Sequence, residues 1–277
     1  MQNDGGAAPD TGATEGPDYV YWTGCAANYD PRVAAIVRAT LRVLRAGGVK
    51  VRLLGQEEAC SGDPARRLGE EGLFQQLALQ NIETLRRHGA VRVVTHCAHC
   101  FHVFRNEYPS LGADFEVTHH GELIARLIDE GRLRLKPRRN LSVTLHDSCY
   151  VGRYNGIFDA PRRALGAVSE NGVREMPRHG PRSFCCGAGG ANYWYDVPKT
   201  EPVGVLRARE ALATGATVIA AECPFCVKML EQGAKTVDPS DRLQVKDIAE
   251  LVAEALDENE AGGRPAPDQE GMVGEVA

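Results

Sequence analysis

No apolar run in this sequence approaches the roughly 20 residues that a membrane-spanning helix needs, and no signal-peptide hydrophobic region follows Met1. The protein is therefore expected to be cytoplasmic and not membrane-spanning. Excess positive charge is missing too. A net charge of −5 and a pI near 5.9 argue against a nucleic-acid partner, and the short basic patches Arg138-Arg139 and Arg162-Arg163 read as solvated faces. There is no phosphate-binding loop either. Gly187-Ala188-Gly189-Gly190 lacks both the Lys-Ser/Thr of a P-loop and the spacing of a dinucleotide fingerprint.

What remains is a 277-residue chain with 43% hydrophobic and 25% charged residues, enough for one large domain or two ordinary ones. Residues 1–17 and 258–277 have no periodicity, are rich in Gly, Pro and small or acidic residues, and are expected to be a disordered leader and tail. Between them strands and helices alternate. Strands are expected at 18–23, 49–54, 91–95 and 115–118, and again at 141–145, 216–220 and 243–246, with a short extended piece at 173–175. Helices are expected at 31–45, 63–88 and 121–133, then at 160–167, 201–214 and 247–256, with Asp63 as a cap and Pro64 opening the second. A further helix is expected to begin near Cys97.

The chain's nine cysteines carry its chemistry. In the expected compartment they are metal ligands or redox groups rather than a disulfide framework. Cys185-Cys186-Gly187 is the centre of the pattern, with Cys149 before it and Cys223-Pro224-Phe225-Cys226 after it, spaced C-x35-CCG-x35-C-x2-C. Adjacent thiols cannot easily pair with one another. Both can hold one cluster if a glycine turn curls the backbone round it and offers N–H groups to sulfur. Zinc takes four ligands and this set has five, so ligand softness and count favour an iron–sulfur cluster. The first half repeats the set as Cys25, Cys60, Cys97 and Cys100, at offsets of 124, 125, 126 and 126 residues. There Ser61 breaks the double cysteine, and four thiolates suit a cubane cluster or a zinc site equally by count. Ser61 or Asp63 could add an oxygen ligand. This duplication predicts an α/β fold of two pseudo-symmetric Rossmann-like halves, 18–135 and 140–257, each a small mostly parallel sheet flanked by helices. The cysteines would stand at strand C-terminal ends.

Other residues near these motifs are candidates of lower order. His96, His99 and His102 surround the first C-x2-C, and 99 and 102 would share a helix face. His119-His120 and His146-Asp147 follow strands, where structural hydrogen bonding is the ordinary role. Tyr193-Trp194-Tyr195 would either line a pocket or pack beneath the cluster loop. Arg153 and His146 are the expected pocket groups of a catalytic centre formed by Cys149, Cys185, Cys186, Cys223 and Cys226.

The repeated motif resembles the cysteine-rich CCG-domain family, whose members include cysteine-rich components of heterodisulfide reductase and the iron–sulfur subunits of glycolate and glycerol-3-phosphate oxidoreductases. It is similar above all to a heterodisulfide reductase-related branch, through Cys60-Ser61-Gly62-Asp63-Pro64-Ala65-Arg66-Arg67, residues 146–156 (HDSCYVGRYNG) and residues 184–190 (FCCGAGG). The resemblance covers about residues 18–257. It implies a [4Fe–4S] cluster, non-cubane in character, on the five second-half cysteines. It also implies an iron–sulfur oxidoreductase subunit that passes electrons to a disulfide or thiol-type substrate or to another carrier. The alternative is a non-catalytic electron-transfer subunit with a structural zinc in the first half. Ser61 departs from the paired double-cysteine pattern of heterodisulfide reductase, and Ala191-Asn192-Tyr193-Trp194-Tyr195 replaces a stretch richer in Arg and Met. With no C-x2-C-x2-C-x3-C-P run in the sequence, electrons are expected from a ferredoxin-like or flavoprotein partner.

Overall fold

The computed structural model describes residues 16–195 and 201–257; the expected leader, but for its last two residues, and the expected tail lie outside them. Two parallel sheets form the frame. The first contains β1 (Tyr19–Trp22), β2 (Val51–Leu53), β3 (Arg92–Thr95) and β4 (Glu116–His119), in the order β2-β1-β3-β4. The second contains β5 (Val143–Leu145), β6 (Val218–Ala221) and β7 (Gln244–Asp247), in the order β5-β6-β7. A single parallel bridge between Val143 and Val173 stands where the first sheet has β2. The second sheet is thus the first with one edge strand reduced to a bridge, at the segment where an extended piece is expected. Every strand is short and almost wholly buried except at the edges, as parallel strands covered on both faces must be.

The predicted two-half α/β architecture is borne out, with local differences. The single long helix expected over 63–88 is two helices, Asp63–Arg67 and Glu71–Arg87. Between them Gly69 takes φ of 86°, a left-handed conformation that ends the first helix and that a side chain would strain. Asp63 is not a cap: Gly62 holds the N-cap position, and the Asp63 carboxylate instead accepts from Arg67 Nε at 3.0 Å. A helix that the residue pattern did not predict, Pro224–Val237, begins at the second C-x2-C with proline in its first turn.

The two halves interlock rather than sit side by side. Helix Pro31–Ala46 of the first packs on Ile248–Ala255 of the second, and His120–Asp129 packs on Asp159–Val168. Each pair joins the first long helix of one half to the last helix of the other, which is what a twofold relation requires. The apolar cores are shared accordingly. Val37, Leu44 and Leu127 pack in one cluster with Leu145, Leu165 and Leu251, while Trp22, Phe74 and Phe104 pack in another with Tyr150, Val227 and Leu230. Arg32 adds a charged clasp across the seam, to Glu231 at 2.6 Å and Glu250 at 2.7 Å. No described helix is long and apolar enough to cross a membrane.

Candidate functional site

Each cysteine loop starts where a parallel strand ends, because the chain must turn there to reach its next helix and the turn exposes backbone N–H groups. After β1, Gly24 at φ 77° delivers Cys25 to the first turn of helix Cys25–Tyr29. Thr23 and Gly24 donate from their backbones to the Glu58 carboxylate at 2.9–3.0 Å, and the Thr23 hydroxyl joins them at 2.9 Å. This ties the Cys25 loop to the loop bearing Cys60. Asn81 holds the Cys60 carbonyl at 2.9 Å, and Tyr108 donates to the Ser61 carbonyl at 3.0 Å. Behind β3, Cys97 and Cys100 frame the start of helix Ala98–Asn106.

The second half builds the same turn with different fasteners. Asp147, beyond β5, accepts the Gly180 N–H at 2.7 Å and both terminal nitrogens of Arg162 at 2.7 and 3.1 Å. Burial alone would raise its carboxyl; Arg162 and the Gly180 N–H hold it below the usual range. Ser183 donates to the Asp147 carbonyl at 3.0 Å and so seats the strand of chain that leads into Cys185. In both halves the glycine turn donates its N–H back to the thiol two residues earlier: Gly62 to Cys60 at 3.4 Å and Gly187 to Cys185 at 3.2 Å. Both of these thiols are drawn down, as is Cys223, where burial is outweighed by Cys226, Cys97 and His99. Cys25 and the Gly62 N–H bring Cys60 to about 7, and Cys149 and Cys186 pull Cys185 down further, whereas Cys25 and Cys149 are pushed up by those partners and by burial. Each set therefore has a thiolate prepared in its glycine turn, and the second set has another at Cys223.

All nine cysteines are free thiols, and they form one string rather than two islands. Cys25 meets Cys60, Cys97 meets Cys100, Cys149 meets Cys185, and Cys186 lies 3.3 Å from Cys226. The two sets join where the Sγ atoms of Cys97 of the first and Cys223 of the second lie within 4.8 Å of one another. His99 sits at that junction with Nδ1 3.6 Å from Cys223 Sγ, edge-on to the rings of Tyr150 and Phe225.

The histidines expected near the first C-x2-C thus separate. His99 reaches thiols. His102 instead stacks on Tyr150 at 4.6 Å, and His96 accepts or donates a hydrogen bond with Tyr21 at 2.9 Å in the interior. His119 and His120 belong to a buried polar knot, where His120 meets Asp247 at 2.8 Å and His119 lies 3.8 Å from Glu222. His146 does approach the second set, with a ring nitrogen within 4.8 Å of the Cys186 and Cys226 sulfurs. Burial and the neighbouring Arg207 push it down to about 3, so it is a neutral imidazole. Ser61 places its hydroxyl 3.4 Å from Cys100 Sγ, while Asp63 is committed to Arg67.

Two recesses open on the string. The one over the first set is a cleft of about 30 Å³, roofed by Tyr193, Trp194 and Phe225 of the second half. The other, of about 320 Å³, is lined by Cys149, Cys185, Arg153, Tyr154 and the Gly187–Gly190 turn. Arg153 stands on its wall and donates to the Ser183 carbonyl at 2.9 Å. Two of the aromatic triplet take both expected roles, for Tyr193 packs on Phe225 at 4.9 Å and, with Trp194, lines a cleft, although that cleft belongs to the first set; Tyr195 is exposed and lines neither recess. Sequence reasoning missed Glu58, Asn81 and Arg207, single residues on loops and helices that no local motif marks.

The donors suit a cluster cofactor. They are sulfur throughout, several are buried, and glycine N–H groups point at two of them, which is the chemistry iron–sulfur centres use. Free thiols gathered at the strand ends of a duplicated α/β frame define a cysteine-rich protein built to hold metal. The particular family follows from comparison. The cysteine-rich CCG domain matches twice, over residues 19–105 and 143–231, and the chain belongs to that family. It is 38% identical over 239 residues to the probable iron–sulfur-binding oxidoreductase FadF of Bacillus subtilis, covering 86% of this chain and 34% of that protein. It is 45% identical over 234 residues to a probable membrane-anchored ferredoxin of Chromohalobacter salexigens, covering 83% and 35%. With one of the subunits of the dihydromethanophenazine:CoB–CoM heterodisulfide reductase of Methanosarcina mazei the identity is 37% over 254 residues, covering 90% and 61%. The chain thus spans between about a third and three-fifths of the length of these relatives.

Proposed function

We propose that this chain is the iron–sulfur electron-transfer part of an oxidoreductase, with one redox centre on each thiol set. Cys149, Cys185, Cys186, Cys223 and Cys226 would hold a [4Fe–4S] cluster of the non-cubane kind, and Cys25, Cys60, Cys97 and Cys100 an ordinary one. Such clusters, when bound, supply one-electron transfer. The chain's own residues do the rest. Glu58 and Asp147 fix the loops, the Gly62 and Gly187 N–H groups stabilise thiolates, and Tyr193, Trp194 and Phe225 wall the cleft over the first set.

The observation that carries this reading is the approach of Cys97 and Cys223 to within 4.8 Å, which brings the two sets together ligand to ligand. Electrons would enter the first set from a ferredoxin-like or flavoprotein partner and leave from the second. The recess beside Cys149 and Cys185 is large enough for a small disulfide or thiol, and Arg153 on its wall suits an anionic substituent. The four thiols of the first set also fit a structural zinc, whose sites are four-coordinate; metal content separates the two. The test of the catalytic assignment is disulfide-dependent oxidation of a reduced dye by the anaerobic protein and its Cys186→Ser variant. Loss of turnover in the variant, with the first-half centre intact, is expected. Unchanged turnover with an altered second centre would remove the second set from catalysis.

A further inference from the structure

We propose that His146, held by Arg207, and His99, reaching over from the first half, are positioning residues that raise the reduction potential of the second-half centre above that of the first. The inference rests on reading the thiol sets as redox centres.

Arg207 is fully buried in helix Val203–Ala213, and its Nε lies 3.1 Å from His146 Nδ1. A guanidinium only donates, so Nδ1 must accept, and the neutral ring then carries its proton on Nε2. That N–H is the one left for the sulfurs, and one ring nitrogen of His146 lies within 4.8 Å of the Cys186 and Cys226 sulfurs. Arg207 is itself fixed by the Arg178 carbonyl at 2.8 Å and by Glu210 at 2.7 Å, while its Nη2 meets no partner among the described residues. His99 makes the second approach, with Nδ1 3.6 Å from Cys223 Sγ. A ligating thiolate can only accept, so His99 is the donor there.

The duplication supplies the internal control. At the 126-residue offset that relates Cys97 to Cys223, Phe225 stands where His99 does. At the 124-residue offset that relates Cys25 to Cys149, Trp22 stands where His146 does. Trp22 packs edge-on to Phe104 at 4.9 Å, and its indole N–H meets no acceptor among the described residues. The helix equivalent to Arg207's, Glu71–Arg87, buries no charged residue. His146 thus serves the second set alone, and His99, within 4.8 Å of both Cys97 and Cys223, hydrogen-bonds the second at 3.6 Å, while apolar rings stand at the pseudo-equivalent positions. N–H donors to cluster sulfur and nearby positive charge favour the reduced state. The second set is the better equipped.

The test is an EPR-monitored redox titration of the anaerobically prepared protein and four variants, with iron counted in each. His146→Leu and Arg207→Met should each move the second-half midpoint to lower potential and leave the first-half midpoint in place, and His99→Phe, beside both sets, should lower the second-half midpoint more than the first. His146→Gln should restore most of the wild-type value, since an amide accepts from Arg207 and donates to sulfur. Unmoved midpoints in His99→Phe and His146→Leu at full iron content would overturn the inference. His99→Phe installs the residue already present at the pseudo-equivalent position, so it decides the matter even if a variant at Arg207 or His146 fails to fold. An iron-free second half in the wild type would instead overturn the cluster reading itself.

Discussion

Gly233→Ala should loosen the second thiol set through backbone contact alone. Helices Val203–Ala213 and Pro224–Val237 cross where two glycines meet. A Cβ on Gly233 would overlap the Gly204 carbonyl oxygen and lie 2.7 Å from its carbon. These are main-chain atoms and cannot rotate aside. The helices must separate by on the order of 1 Å, and the shift is transmitted to the cluster loops: Gly204 also faces the Cys186 carbonyl, and Cys226 is carried on the other helix. Alanine in a helix gains about 1 kcal/mol over glycine, while overpacking costs about 1–3 kcal/mol. Against backbone the upper end applies, so a net loss of about 2 kcal/mol is expected. Gly166→Ala is the control, because Gly166 lies in helix Asp159–Val168 with nothing within 4 Å of its added Cβ; it should stabilise by up to about 1 kcal/mol. Denaturant titration with iron counted per chain reads both. Gly233→Ala with full iron and a midpoint equal to that of Gly166→Ala would refute the reasoning.

Three other outcomes are expected. Arg32→Ala should cost about 2 kcal/mol in denaturation, because it leaves Glu231, Glu250 and the Val245 carbonyl without their shared donor across the seam; an unchanged midpoint would show that this clasp adds nothing to the joining of the halves. Ser61→Cys completes a Cys-Cys-Gly sequence in the first half, beside Cys100 at 3.4 Å, and its Mössbauer spectrum should show the first centre converging on the second. Spectra identical to wild type would mean that Ser61 lies outside the cluster's reach. His96 is held down to about 4 by burial, against about 6.5 when unfolded. Its contribution to stability is therefore whole above pH 6.5 and is lost as pH falls towards 4. His96→Gln should flatten the pH dependence of stability across that window by about 1.4 kcal/mol per pH unit, as read by denaturation at several pH values; parallel curves would contradict it.

The duplication was legible because covalent spacing records it: four cysteines at nearly one offset place the loops, and alternating Val-rich bursts place the strands between them. Local punctuation was legible less evenly. Pro224 at the first turn of Pro224–Val237 is an ordinary helix opener, yet the C-x2-C motif around it hides the signal. Gly69 reads as tolerable inside a helix until its left-handed φ is seen. Tertiary facts left no linear trace. His99 and His102 both fit one helix face, and only packing against Phe225 and Tyr150 sends the first to sulfur and the second to a stacked ring. The approach of Cys97 to Cys223, and the buried Arg207 behind His146, depend on how the halves interlock, which residue spacing does not encode.

Metal and sulfide analysis of the anaerobically purified protein, with Mössbauer spectroscopy, tests the central claim most directly. The account predicts about eight irons and eight sulfides per chain in two spectrally distinct clusters. About one or two zincs with no iron would contradict it, since a redox-silent metal on these thiols leaves no electron-transfer function to explain.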